Sequence, residues 1–140
     1  MNFNTILAPL FVQVALTFVL IFWTGILRVQ AIRSGAVRPH DIALGQPGWP
    51  EQATKVANAY HNQLQTPLLF YLLVVLVLLV APGTPAMVFL SWLFVATRLV
   101  HALIHVTTNN VPRRFFVFVT GGAILAVMWL IFLAEIVFGL

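Results

Sequence analysis

Two short runs of polar residues interrupt an otherwise apolar sequence. Asn58, His61, Asn62 and Gln65 recur at steps of three and four, which places them on one helical face, and Arg98, His101 and His105 do the same on a second helix. Arg113 and Arg114 follow shortly after, directly behind Pro112, and Arg28 closes an earlier apolar stretch. Arginine's planar fork matches carboxylates and phosphates, and two cations in the first turn of a helix oppose its macrodipole unless an anion joins them. The chemistry this set supports is therefore capture of a small anion or a lipid headgroup by Arg28, Arg98, Arg113 and Arg114, with amides and imidazoles beside them. Competing readings exist for each. Arg28, Arg113 and Arg114 also suit topology and headgroup anchors. Arg98 also suits a buried tie to Gln65 or Asn62 that fixes helix packing. His61, His101 and His105 have the residue type for zinc, but no carboxylate or thiolate accompanies them, so no metal is expected.

The elements that position these groups follow from composition. The chain has 140 residues, 61% apolar and 7% charged, with a mean hydropathy of +1.02. Its solvent is lipid. The excess of seven Lys and Arg over three Asp and Glu then carries topology rather than nucleic-acid binding. Cysteine is absent, which excludes disulfides and a thiolate nucleophile of the protein's own. The opening residues Met1 to Thr5 lack a basic leader, so the first apolar stretch is expected to remain as a helix.

Four transmembrane helices are expected, over residues 6–27, 55–80, 86–107 and 113–138, as one all-α bundle spanning 1–140. Between Ser34 and Pro50 the density of glycine and proline marks a long first loop. Helix two is expected to continue through Gln65-Thr66-Pro67 with a bend. Ala81-Pro82-Gly83-Thr84-Pro85 reads as a tight turn, and Thr108 to Pro112 as the next. Six of the seven basic residues flank the first and third loops, which places both on the cytoplasmic side and the two termini outside. Trp23, Trp49 and Trp92 suit interfacial anchors, Glu135 near the outer end is expected to reach the interface, and Gly121-Gly122 is expected to admit a close helix neighbour.

Charged and strongly polar groups within a span raise functional hypotheses. Counting back from the cytoplasmic end, Gln65 and Arg98 both lie roughly 13 to 14 Å deep at 1.5 Å per residue. Asn62 matches His101, and Asn58 matches His105, so the two faces should meet each other or a neighbouring subunit in one polar cleft.

At these residues the sequence resembles the MAPEG superfamily, the membrane-associated proteins of eicosanoid and glutathione metabolism, and especially its less characterised bacterial branch. Asn58-Ala-Tyr-His-Asn62-Gln-Leu-Gln65-Thr-Pro is similar to that family's helix-two signature, Arg98-Leu-Val-His101 with Pro112-Arg-Arg114 to its second, and Thr24-Gly-Ile-Leu-Arg28 to its end of helix one. The resemblance implies a homotrimer in a bacterial inner membrane with glutathione as co-substrate, bound between subunits near the cytoplasmic face. It would assign Arg28, His61, Asn62, Gln65, His101, His105 and Arg114 to tripeptide contacts, Arg114 to stabilising the thiolate, and Asp41 to a loop aspartate with a catalytic role in one branch. The sequence departs from the family where Gln65 replaces a glutamate, Asn58 and His61 replace arginines, His105 replaces a tyrosine, and Phe115 and Phe118 replace hydroxyl-bearing residues. The expected activity is conjugation or reduction of lipophilic electrophiles that arrive from the bilayer. The alternative is a non-catalytic protein of the same fold that binds a lipid headgroup or other anion. A proton-coupled exporter would need an acid deep within a span, and only Glu135 is near one.

Overall fold

The computed structural model describes residues 3–80 and 84–139. Ala81, Pro82 and Gly83 of the expected tight turn, and Met1 and Asn2 of the opening segment, lie outside the described residues. Five α-helices follow in order: α1 (Phe3–Arg33), α2 (Glu51–Asn62), α3 (Thr66–Val80), α4 (Pro85–Val106) and α5 (Val111–Phe138). No strand occurs among the described residues. Four segments are long and apolar enough to cross a membrane: α1, α2 with α3, α4, and α5. At about 1.5 Å per residue the 31 residues of α1 extend ~46 Å, well beyond a hydrocarbon core of about 30 Å.

The second span differs from the expected bent helix. It is two helices separated by a turn at Gln63–Gln65. Pro67 has no N–H to offer the carbonyl of Gln63, four residues back, so the α pattern cannot run through this point. The chain tightens instead, with Gln63 N bonded to Tyr60 O at 2.9 Å and Leu64 N to His61 O at 3.1 Å. Pro67 then sits in the first turn of α3, where a missing N–H is harmless.

Helix ends elsewhere follow local chemistry. Thr84 caps α4 by accepting from Met87 N at 3.3 Å, with Pro85 behind it. Between α4 and α5 two asparagines divide the work. Asn109 takes the left-handed conformation (φ 49°) and its N–H returns to Ile104 O at 2.7 Å, which ends α4. Asn110 caps α5, accepting from Arg113 N at 3.0 Å through its side chain.

The core has two parts. The larger, toward the termini, packs Ile6 of α1, Phe70 and Val77 of α3, Met87 and Phe94 of α4, and Met128 and Phe132 of α5. The smaller, toward the first and third loops, packs Leu20, Val56, Ala59 and Ala102. Between them lies a pair that the sequence reading passed over: Gln13 Nε2 donates to Gln63 Oε1 at 2.9 Å, and Gln63 Nε2 donates to Ala59 O at 3.0 Å. Both glutamines are 0% exposed. This pair ties α1 to the turn between α2 and α3, where an amide in lipid would otherwise lack a partner.

α4 and α5 form the most extensive helix pair. Their approach depends on Gly121, where an added Cβ would stand 2.6 Å from Thr97 Oγ1, an atom already bonded to Phe94 O at 2.7 Å. Gly122 has no such neighbour within 4 Å. Gly121→Ala is therefore expected to lower the unfolding stability of the detergent-solubilised protein by about 1–3 kcal/mol, whereas Gly122→Ala leaves it unchanged. Equal thermal shifts in the two variants would contradict this packing.

Glu135 also departs from expectation. Leu125, Met128, Phe132 and Glu135 follow one another at steps of three and four along the inward stripe of α5, so Glu135 turns inward rather than to the interface. Both its carboxylate oxygens are buried without a hydrogen-bond partner among the described residues.

Candidate functional site

The first and third loops meet at one end of the bundle, where Gln52 Nε2 donates to Val106 O at 3.1 Å. Just inside this end, α2, α4 and α5 enclose a cleft of about 230 Å³ lined by Asn62, Gln65, His101, His105, Arg114 and the aromatic rings of Phe115 and Phe118, with Val111 at its edge.

Arg98 does not line this cleft but lies behind it, against two of its lining residues, Asn62 and Phe118. It is 1% exposed and its Nη2 donates to Asn62 O at 3.0 Å. Because the break after Asn62 removes the carbonyl's intrahelical partner, the guanidinium serves as the C-terminal cap of α2, where the macrodipole favours a cation. The remaining face of Arg98 looks toward Phe118, with Cζ 6.0 Å from the ring centroid, and its Nε is buried without a partner. Arg98 thus has a structural role that follows directly from the helix break.

Asn62 links Arg98 to the wall. Its side-chain amide donates to Asn58 O at 2.9 Å and lies 3.3 Å from His105 Nε2. With Nε2 accepting that bond, the proton of a neutral His105 resides on Nδ1. His101 and His105 stack edge to face with centroids 5.6 Å apart, and both are at most 3% exposed. The Nδ1 atoms of both rings are buried with no hydrogen-bond partner among the described residues. Arg114 stands opposite. Its Nη1 donates to Asn109 Oδ1, so the residue that ends α4 also holds the guanidinium in place.

The expected face-to-face pairing of the two polar stripes is formed only through Asn62. Asn58 and His61 are exposed and point away from α4. The reason lies in α2 itself, whose inward side carries Ala53, Val56, Ala57 and Ala59, small enough to pack closely on the neighbouring helices. Gln65, in the turn, is exposed yet still borders the cleft. Arg113 is exposed and outside it. Arg28 is also elsewhere, stacked on Trp49 of the first loop with Cζ 4.8 Å from the ring centroid, so Trp49 holds an arginine where an interfacial anchor was expected. Asp41 lies on the exposed first loop, 3.7 Å from Arg38 and 3.6 Å from His40, and does not approach the cleft. His61 is exposed and apart from His101 and His105. No group of three potential metal ligands gathers among the described residues.

Two contributors escaped the sequence reading. Gln13 is the one amide in the middle of α1 and deserved the same suspicion as Arg98, since polar groups within a span need partners. Asn109 had no such signal, because its role depends on a left-handed turn that only the fold reveals.

A helical protein that crosses the bilayer several times and keeps a cationic, aromatic-walled cleft at one membrane face belongs to the class of multi-pass integral membrane proteins. Within it, the chain belongs to the MAPEG family, whose family model matches residues 6–134. This makes it a membrane protein of the glutathione and eicosanoid metabolism superfamily. No curated protein and no solved structure matches the chain.

Proposed function

We propose that this protein is a glutathione-transferase-like membrane enzyme that binds glutathione, or a similar small anionic thiol, in the cleft beside Arg114 and acts on lipophilic electrophiles from the bilayer. The observation that carries this reading is the composition of the cleft. Arg114, the imidazoles of His101 and His105, and the amides of Asn62 and Gln65 line it, and no carboxylate does. Such a site favours carboxylates and a thiolate, and burial strengthens each interaction. Glutathione would supply the nucleophilic thiol, and Arg114 would stabilise its thiolate form. Phe115 and Phe118 offer an apolar surface at the mouth, where a hydrophobic electrophile can approach from lipid.

Two features support assembly into a homotrimer with the site at the subunit boundary. At about 230 Å³ the cleft is smaller than the roughly 300–1,000 Å³ of pockets that enclose a drug-sized ligand, so a second wall is needed. Asn58 and His61, exposed on a membrane helix, also call for protein rather than lipid beside them. In that arrangement Arg28, remote from the cleft of its own chain, can serve the cleft of a neighbour. The loops that carry Arg33, Arg38 and Arg113 would face the cytoplasm of a bacterial cell, with both termini outside the inner membrane.

The test is turnover. Purified protein in detergent is expected to conjugate or reduce a lipophilic electrophile in a glutathione-dependent manner. Saturable glutathione binding without any turnover across a panel of electrophiles would refute the enzymatic reading. It would favour instead a non-catalytic protein of the same fold, in which case mass spectrometry of the extracted oligomer should show a co-purifying anionic lipid.

A further inference from the structure

Arg28 stands apart from the other arginines at the first and third loops. Arg33, Arg38 and Arg113 are exposed, whereas Arg28 is half-buried near the end of α1, with its Cζ 4.8 Å from the centroid of the Trp49 ring. An aromatic partner restrains a cation without cancelling its charge. Nε is the one guanidinium nitrogen of Arg28 found buried without a hydrogen-bond partner among the described residues, so the outer edge of the planar fork stays accessible.

The position of Trp49 is itself fixed by the chain around it. Pro50 follows directly and confines the backbone of Trp49 to extended conformations, and Pro50 is also the N-cap of α2. The hydroxyl of Thr54, in the first turn of that helix, donates to Pro50 O at 3.2 Å and reaches Trp49 O at 3.4 Å. On the other side Gly48 lies close against Ile42, where an added Cβ would stand 3.2 Å from Cγ2. The indole is therefore carried by a rigid joint. An arginine free to rotate loses that freedom when it grips an anion, and a side chain restrained beforehand loses less.

We infer that Trp49 is a positioning residue for ligand binding: its indole holds Arg28 in one orientation, with the open edge of the guanidinium ready for an anionic group of the bound thiol. The inference rests on the proposed function, in which Arg28 serves the cleft of a neighbouring chain. Trp49 touches the arginine and not the ligand, so its effect should pass entirely through Arg28.

Titration calorimetry with glutathione on the assembled native protein tests this beside Trp49→Leu, Trp49→Phe, Arg28→Ala and the double variant. Trp49→Leu is expected to weaken binding about threefold to tenfold, the size of one side chain's lost restraint, while Trp49→Phe keeps a ring and retains most of the affinity. In the Arg28→Ala background Trp49→Leu should weaken binding no further. Trp49→Met, a second non-aromatic replacement, guards this comparison against misfolding of the leucine variant. Native affinity in Trp49→Leu or in Arg28→Ala, or an equal loss from Trp49→Leu with and without Arg28, would overturn the inference while leaving the thiol site intact. Failure of the native protein to bind glutathione would overturn the proposed function and this role together.

Discussion

Arg98→Ala is expected to destabilise the protein by about 3 kcal/mol, from the combined loss of a charged hydrogen bond and the cavity left by a fully buried side chain. The carbonyl of Asn62 would then stand unpaired at the end of α2, because the helix stops there. Because Asn62 also contacts His105, the loss should spread to the wall of the cleft, and ligand affinity should fall with stability. Arg98→Lys keeps the cation and is expected to recover part of the stability. Thermal unfolding of the three proteins in one detergent decides the point. An Arg98→Ala protein as stable as the native one would mean that the helix break is capped by something else.

Arg114→Ala is expected to act in the opposite way, leaving the fold intact and reducing glutathione-dependent turnover by about 10²–10³-fold, the usual cost of removing one charge-stabilising donor. Arg114 is half-buried at the first turn of α5, and no core residue depends on it. Its side-chain partner among the described residues is Asn109, which makes a finer test possible. Asn109→Gly preserves the left-handed turn while removing the amide that holds the guanidinium, so it should reduce turnover less than Arg114→Ala without altering helix content. Circular dichroism and steady-state rates on the same preparations would separate these effects. Turnover unchanged in Arg114→Ala would exclude this arginine from the chemistry.

Much of this architecture was legible because lipid is a demanding solvent. Twenty-residue apolar stretches have few fates, and six cations at one pair of loops restrict the topology further. The depth count paired Asn62 with His101 and Gln65 with Arg98, whereas Asn62 itself contacts both Arg98 and His105. The count failed for Asn58 because it measures height and not rotation, and His61 on the same stripe is exposed as well. The small residues of α2 set that rotation, and they turned the rest of the polar stripe outward. The break after Asn62 was half visible. Pro67 announced a disturbance by freeing the carbonyl of Gln63, but the helix stops after Asn62, whose carbonyl is capped by Arg98 from another helix, and nothing in the local sequence signals that contact. Gln13 and Gln63 illustrate the reverse. Each looked unremarkable alone, and their pairing 50 positions apart satisfies most of the two amides inside a membrane bundle, leaving Gln13 Oε1 without a partner among the described residues. Glu135 was misread for want of its phase, since proximity to a helix end says nothing about which way a side chain points.

The central claim is that Asn62, Gln65, His101, His105 and Arg114 form one binding site for a small anionic thiol. Calorimetric titration of the purified native protein and of Arg114→Ala with millimolar glutathione tests it most directly. The account predicts saturable binding to the native protein and its loss, or a steep weakening, in the variant. Absence of binding to the native protein, or equal binding to both, would contradict it.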